Sequence, residues 1–278
     1  VDIFGQSADM PALRAIADRY GLKLVTDTAQ APGALLNGVL AGTTADIGGF
    51  SLNYHKHIHC GEGGLLVTND DHLAERLRLI RNHGEAVINS DRPEDLANIL
   101  GHNFRLGEIE AAIAREQLHK LPGLVESRQH AAARLTQALS GLPGLKPPQV
   151  SPDATHVYYV YGMTLDLEQL NRDRAWIVKA LKSEGVTGLL EGYQNIHLNP
   201  LFRHRIAYGT SGFPWKGLRS GESSIRYGPG LCPVAEHLHQ HAFLGLNLCA
   251  HAFTDIEVDA VIAAFEKIWA ELVRSAMS

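Results

Sequence analysis

The sequence has 278 residues, of which 45% are hydrophobic and 20% charged, with a formal net charge of −5. This composition predicts a globular protein with a sizeable core, in one large domain or two smaller ones. The slight acidity argues against nucleic acid and anionic membranes as partners. No apolar run approaches the length of a membrane span. The three cysteines, Cys60, Cys232 and Cys249, are odd in number and widely spaced, which favours a reducing cytoplasm.

The first residues, Val1-Asp-Ile-Phe-Gly5, lack an initiator methionine, and a helical pattern follows almost at once. Such a start is typical of a cut through an α/β unit. We therefore expect the chain to be a fragment or a truncated form of a longer protein.

Helical and strand-like segments alternate in the first half of the chain. Asp9 is predicted to cap a helix that ends at Gly21, with Leu13 and Ile16 on its apolar face. Asn69 or Asp70 is predicted to cap the next helix. The predicted strands between these helices and their caps cover 22–26, 47–52 and 64–68. Alternation of this kind predicts an α/β fold with a mostly parallel sheet.

The middle of the chain contains the expected domain boundary. A mobile loop is predicted over 85–100, followed by a long helix over 108–139 with a break at Pro122. Four prolines between residues 141 and 152 then mark the boundary. We therefore expect a large domain over 1–142 and a smaller C-terminal α+β domain over 143–278.

One lysine has an unusual position in this pattern. Lys56 follows a predicted strand and precedes the Gly-rich turn 61–64, while Asp27 ends another strand, and ligands bind at such strand ends in open α/β sheets. A lysine whose pKa is lowered can attack an aldehyde cofactor. An acid such as Asp27 can hold a pyridinium nitrogen protonated, and Ser51 can hydrogen-bond a phosphate.

Several segments, in this order, resemble the DegT/DnrJ/EryC1/StrS group of sugar aminotransferases, which are pyridoxal 5'-phosphate (PLP) enzymes of the aspartate aminotransferase fold. The resemblance covers nearly the whole chain and implies that it is the remainder of a PLP-transferase large domain followed by the small domain. Its segments are Asp27-Thr-Ala-Gln30, Asp46-Ile-Gly-Gly-Phe-Ser51-Leu, Lys56, Gly61-Glu-Gly-Gly-Leu-Leu-Val-Thr68, Arg81-Asn-His-Gly84 and Gly101-His-Asn103-Phe-Arg-Leu.

The resemblance implies a role for five residues. Lys56 is the implied Schiff-base lysine and the base that moves the proton. Asp27 pairs with the pyridine nitrogen, Gln30 lies near the cofactor's phenolic oxygen, and Ser51 binds the phosphate. Asn103 reaches the cofactor phosphate of the neighbouring subunit, which implies a homodimer with shared active sites.

The sequence also departs from the family pattern. The N-terminal stretch with a small-residue phosphate loop and a ring-stacking aromatic residue has no counterpart before Val1. Pro32 stands where many relatives carry histidine. The segment around Lys56 is unusually rich in histidine, so a nucleotide-sugar substrate is not a necessary consequence of the resemblance.

The histidines near Lys56 allow two interpretations. In an extended segment, His55, His57 and His59 share one face and, with Cys60, are metal-ligand types. No second set of ligands has a recognised spacing, so no metal is expected. We predict instead that His55 and His57 line the substrate side of the cofactor pocket. Farther along the chain, His197 and Arg226 are candidate substrate contacts, with a packed histidine and a surface arginine as the alternatives.

The leading hypothesis is a cytoplasmic, PLP-dependent aminotransferase in surface-polysaccharide or secondary-metabolite biosynthesis. It uses an amino acid donor such as glutamate and a keto sugar, nucleotide-linked in the usual case. One alternative is a PLP-dependent sugar dehydratase, against which Lys56 argues because such relatives carry histidine there. The others are a non-catalytic truncated relative and a metal-dependent enzyme.

Overall fold

The computed structural model describes residues 1–85, 99–216 and 226–277. The chain forms two compact units, each made of several chain segments. The first unit contains Val1–Leu135, Gln149–Tyr161 and Asn247–Val258, and the second contains Thr136–Pro148, Gly162–Leu246 and Asp259–Ser278. The expected boundary between 142 and 143 stays a prediction. None of the helices in the described residues is long and apolar enough to cross a membrane.

The first helix begins where the sequence predicts and ends two residues before Gly21. Helix α1 spans Met10–Arg19, and the Asp9 side chain accepts a hydrogen bond from the Ala12 amide, which satisfies one of the free donors of the first turn. Met10 and Ala17 are buried, but Leu13 and Ile16 are 39% and 52% exposed. The sequence period thus predicts an apolar face without predicting which residues are covered.

The sheet of the first unit has three strands in the order β1-β4-β5, and a separate hairpin pairs β2 with β3. Strand β4 is parallel to β1 and antiparallel to β5. The segment between β4 and β5 contains no helix that could form a crossover, which explains the antiparallel pairing. The strands are β1 Val25–Asp27, β2 Leu35–Leu36, β3 Val39–Leu40, β4 Ile47–Ser51 and β5 Gly64–Val67.

Gly48 in β4 is required by a close backbone contact. A Cβ atom at this position would lie 1.8 Å from the carbonyl oxygen of Gly42, far inside the contact distance of two atoms. Only glycine lets the 42–43 turn cross the strand here. The backbone at Gly42 therefore packs directly against β4, the strand that precedes Lys56.

The next helix lies in the first unit, and the one after it begins there and ends in the second unit. Helix α2 spans Asp71–Arg81 and is capped by Asp70, which accepts hydrogen bonds from His72 and Leu73. Helix α3 spans Glu108–Leu139 without interruption, so the predicted break at Pro122 is wrong. Packing of the leucines on either side of Pro122 against buried residues accounts for this continuity. Residues 86–98 of the predicted loop lie outside the described residues.

The second unit has a four-stranded sheet in the order β6-β7-β9-β8, with antiparallel β6–β7 and β8–β9 pairs. Its strands and helices match the predicted α+β character. Phe265 stacks on Trp269, whose indole donates a hydrogen bond to the Pro143 carbonyl. The elements are β6 Leu145–Lys146, β7 Tyr161–Leu165, α4 Leu167–Leu170, α5 Arg174–Ser183, β8 Leu189–Leu190, α6 Pro200–His204, α7 Pro233–His237, β9 Phe243–Leu246 and α8 Asp255–Met277.

Candidate active site

Lys56 is presented by a closed loop, residues 52–63, which we call the lysine loop. The neck of the loop is held by two backbone hydrogen bonds, from the Leu52 amide to the Gly63 carbonyl (2.8 Å) and from the Cys60 amide to the Leu52 carbonyl (3.1 Å). Leu52, Ile58 and Cys60 are buried together against leucines of α3. The lysine thus projects from a segment that packing and hydrogen bonds fix on both sides.

The environment of Lys56 shifts its amine toward the neutral form. Burial lowers the pKa of Lys56, while the nearby charges of Asp27 and Cys249 oppose that shift. The Nζ atom lies 4.7 Å from the centroid of the Tyr159 ring. Since only the neutral amine is a nucleophile, the lowered pKa makes Lys56 more reactive than a surface lysine at the same pH.

Two other predicted residues lie at the ends of adjacent strands. Asp27 ends β1 and Ser51 ends β4, and because these strands are parallel their carboxyl ends share one edge of the sheet. The Asp27 carboxylate accepts a hydrogen bond from the Ala29 amide at 3.0 Å. The Ser51 hydroxyl accepts one from the Asn53 amide at 3.3 Å. The structure therefore brings Asp27 and the lysine loop to the same edge.

Gln30 and Asn103 are placed differently from each other. Gln30 is buried, and its side-chain oxygen accepts a hydrogen bond from the Phe4 amide at 2.8 Å. Asn103 is exposed and forms an isolated β-bridge with Asn82 near the end of α2. The role that the resemblance implies for Asn103 stays a prediction.

The histidines of the lysine loop do not share one face. His57 is 2% exposed, while His55 and His59 are exposed, because the segment forms turns instead of the extended conformation on which the metal hypothesis depends. No group of three or more His, Cys, Asp or Glu side chains is placed to hold a metal within residues 1–85, 99–216 and 226–277. The ring of His55 lies 6.2 Å from that of Tyr159.

The buried His57 is held as a neutral ring. Its Nε2 atom lies 2.8 Å from the Val157 carbonyl oxygen, and since a carbonyl only accepts, Nε2 carries the hydrogen. Its Nδ1 atom is buried without a hydrogen-bond partner among the described residues. Burial lowers the pKa of His57 to about 4, against the opposing effect of the Val157 hydrogen bond. His57 therefore adds no positive charge beside Lys56 at neutral pH.

The two remaining predicted substrate contacts belong to the second unit. His197 is engaged by Glu236, with 2.8 Å between Nε2 and Oε1, and both side chains are 11% exposed. Arg226 is exposed, and the preceding residues of its motif lie outside the described ranges. The hydrogen bonding of His197 is that of a structural histidine, and a substrate role for either residue stays a prediction.

Three residues of this region were not assigned to the site from the sequence: Tyr159 and Cys249, which interact with Lys56, and Arg128, which interacts with Cys249. The Arg128 guanidinium is buried and donates to the carbonyls of Leu248 (3.3 Å) and Leu124 (3.2 Å). Burial raises the pKa of Cys249, whereas the charges of Arg128 and Lys56 lower it. Local sequence patterns could not identify these residues, because each is far from Lys56 in the chain and reaches this region only through the fold.

Comparison with known proteins shows that the chain is similar to aminotransferases. The model of the DegT/DnrJ/EryC1/StrS aminotransferase family matches residues 1–215. Two similar curated proteins are dTDP-3-amino-3,4,6-trideoxy-alpha-D-glucose transaminases. The one from Streptomyces venezuelae is 35% identical over 86% of this chain, and the one from Micromonospora megalomicea subsp. nigra is 44% identical over 81% of it.

A solved structure extends the likeness to the fold. The crystal structure of S. venezuelae DesV in complex with a ketimine intermediate superposes with a TM-score of 0.78 and 30% sequence identity, covering 96% of this chain and 63% of DesV. Such likeness confirms the predicted fold of the PLP-dependent aminotransferases. The chain spans 59% and 56% of the length of the two curated relatives.

Proposed function

The chain belongs to the DegT/DnrJ/EryC1/StrS aminotransferase family, and we propose that it transfers an amino group from an amino acid to a keto sugar. Glutamate is the proposed donor, and the proposed acceptor carries a nucleotide, as the names of the two transaminase relatives support. The observation that carries the proposal is Lys56, a half-buried amine of lowered pKa on a fixed loop beside the Asp27 carboxylate.

The aminotransferases of this family are PLP-dependent, and the side chains at the sheet edge fit that cofactor. The site offers an amine for an aldehyde, a carboxylate for a pyridinium nitrogen and a hydroxyl for a phosphate, on Lys56, Asp27 and Ser51 respectively. The Asp27 carboxylate is near enough to Lys56 for its charge to raise the pKa of the amine, which supports a shared role. The chemistry of the set matches an aromatic aldehyde that carries a phosphate.

When bound, PLP supplies an electron-accepting ring through which the amino group passes between the two substrates. Lys56 would hold the cofactor through its aldehyde, and its Nζ would take and return a proton. Asp27 would hold the proton on the pyridine nitrogen, Ser51 would bind the phosphate, and Gln30 would serve the phenolic oxygen. The neutral His57 and the exposed His55 border the substrate side.

The same proposal extends to assembly and location. Asn103 serves the cofactor phosphate of a second subunit, so the active form is a homodimer with shared sites. The exposure of Asn103 leaves its side chain accessible to a neighbouring subunit, which supports this role. The three free cysteines support a reducing cytoplasm as the location. Sugar biosynthesis for surface polysaccharides or secondary metabolites is the proposed pathway class.

The experiment combines the purified chain with PLP, glutamate and a nucleotide-linked keto sugar. We expect an absorbance band of the covalently bound cofactor and formation of the amino sugar, both lost in Lys56→Ala. The matched control is Lys23→Ala, because Lys23 is 75% exposed and pairs with Asp46 at the surface. Persistence of the band and of amino transfer in Lys56→Ala would contradict the proposal.

A further inference from the structure

The aromatic ring of Tyr159 covers the amine of Lys56 within the first unit. The Nζ atom lies over the ring face, 4.7 Å from its centroid, well inside the range of a cation–π contact. The His55 and His57 rings flank the same tyrosine with centroid distances of 6.2 and 6.1 Å. Tyr159 itself is half-buried, so its ring is held in place beside the lysine loop.

A ring face discriminates between the two protonation states of an amine. The negative face of the ring attracts an ammonium ion and has little attraction for a neutral amine. Among the groups near Lys56, the Asp27 carboxylate favours its charged form, as does Cys249 when it is a thiolate, and burial disfavours it. Arg128 acts on Cys249 and His57, while His57 stays neutral. Tyr159 therefore stabilises the ammonium without adding a charge to the site.

We propose that Tyr159 is a positioning residue that holds the released, protonated Lys56 amine beside the reacting carbon between its two proton transfers. This inference rests on the proposed function, in which the free Lys56 amine takes and returns a proton while substrate is bound. A free lysine side chain has four rotatable bonds and many conformers. Confining its amine to one place preserves the geometry that efficient proton transfer requires.

The contact between Lys56 and Tyr159 depends on the aromatic ring and not on the phenol hydroxyl. The variants are therefore chosen to keep or remove the ring. Tyr159→Phe keeps the ring face, and Tyr159→Leu removes it. Tyr159→Met is a second ringless variant, of greater length and flexibility, in case leucine disturbs the fold. Tyr54→Leu is the matched control, because Tyr54 contacts His55 edge-to-face in the same loop and is 69% exposed.

The first measurement needs neither cofactor nor turnover. The full chain, freed of cofactor, is acetylated with limiting acetic anhydride over a range of pH, and mass spectrometry gives the apparent pKa of Lys56. We expect Tyr159→Leu and Tyr159→Met to lower this pKa by about one unit, a tenfold shift toward the neutral amine. Tyr159→Phe and Tyr54→Leu leave it unchanged.

The second measurement follows the glutamate half-reaction of the loaded enzyme. We expect Tyr159→Leu to lower kcat about tenfold with little change in KM. Tyr159→Phe, which keeps the ring, should have the kcat of the unaltered chain. An unchanged Lys56 pKa in both ringless variants, or an equal drop in Tyr159→Phe, overturns this inference and leaves the proposed function intact. Failure of the unaltered, PLP-loaded chain to react with any amino donor overturns the proposed function instead, and the acetylation profile is independent of that result.

Discussion

The lysine loop of the first unit and a glutamate-centred cluster of the second bury ionisable groups in opposite ways. In the lysine loop, burial lowers the pKa of both Lys56 and His57, and the Nδ1 atom of His57 lacks a hydrogen-bond partner in the described structure. In the glutamate cluster, which we define as His197, Gly230, Cys232 and Glu236, the carboxylate accepts hydrogen bonds from one side chain and two backbone amides.

The difference separates a reactive environment from a structural one. A buried polar group that is fully hydrogen-bonded stabilises the fold, whereas one left without compensation costs stability and becomes available for chemistry. Both regions contain a histidine that the sequence predicts to face a substrate. The structure distinguishes them by their partners: His197 has a carboxylate, and His57 has one carbonyl and an unpaired nitrogen.

The largest expected effect comes from removing the amine of the lysine loop. Lys56→Met keeps an apolar side chain of similar length, so the chain is expected to lose covalent cofactor attachment completely. The melting temperature of the cofactor-free protein should not fall, because the variant removes the cost of burying an amine. Differential scanning calorimetry and absorbance spectroscopy measure the two effects. A clear drop in melting temperature would mean that Lys56 is structural.

Acid should destabilise the protein through the buried histidines of the first unit. Burial lowers the pKa of both His57 and His156 to about 4, so the unfolded chain binds protons more readily than the folded one. Their contribution is therefore fully present above pH 6.5 and is lost as the pH falls toward 4, by up to about 3 kcal/mol for each ring. Urea unfolding between pH 7.5 and 4 measures this loss, and His57→Gln should reduce it. A free energy of unfolding that stays constant from pH 6.5 to 4.5 would contradict it.

The contribution of the glutamate cluster to stability should change less with pH than that of the buried histidines, and in a different pH range. Hydrogen bonds from the Gly230 amide, His197 and the Cys232 amide lower the pKa of Glu236. Its contribution to stability is thus present above the ordinary pKa of a glutamate and is lost only at more acidic pH. Glu236→Gln should lower the melting temperature at pH 7, since an amide nitrogen replaces one accepting oxygen, without affecting cofactor attachment.

A matched substitution separates this effect from a general loss of negative charge. Glu271 in α8 is exposed and pairs only with Arg274 in the contacts described for it, so Glu271→Gln should leave the melting temperature nearly unchanged. An equal response of both variants, or loss of cofactor attachment in Glu236→Gln, would remove the distinction between the two regions.

Local sequence patterns predict the elements that depend on local chemistry. Asp9 and Asp70 cap helices because their carboxylates reach amides two or three residues away, and such spacing is visible in the sequence. The strand ends that carry Asp27 and Ser51 are likewise marked by apolar runs that stop at a polar residue. The order of the segments between Asp27 and Leu106 that resemble the family identified it correctly, and comparison of the chain with its relatives confirmed it.

Local sequence patterns do not predict features that depend on contacts between residues distant in the chain. Pro122 should break α3, yet leucines on both sides of it pack onto a buried cluster and keep the helix continuous. Tyr159 contacts Lys56 only because the fold returns the 149–161 segment to the lysine loop. Nothing in the residues next to Tyr159 distinguishes it from Tyr158, so the sequence could not select it.

The most direct test of the central claim is to trap the cofactor on the protein. The full chain is incubated with PLP, reduced with sodium borohydride, digested and mapped by mass spectrometry. We predict one pyridoxyl-modified residue in stoichiometric yield, Lys56, and none on the exposed lysines such as Lys23. Stoichiometric modification of a different lysine, or only scattered surface modification with Lys56 unmodified, would contradict the assignment of Lys56 as the cofactor-binding lysine.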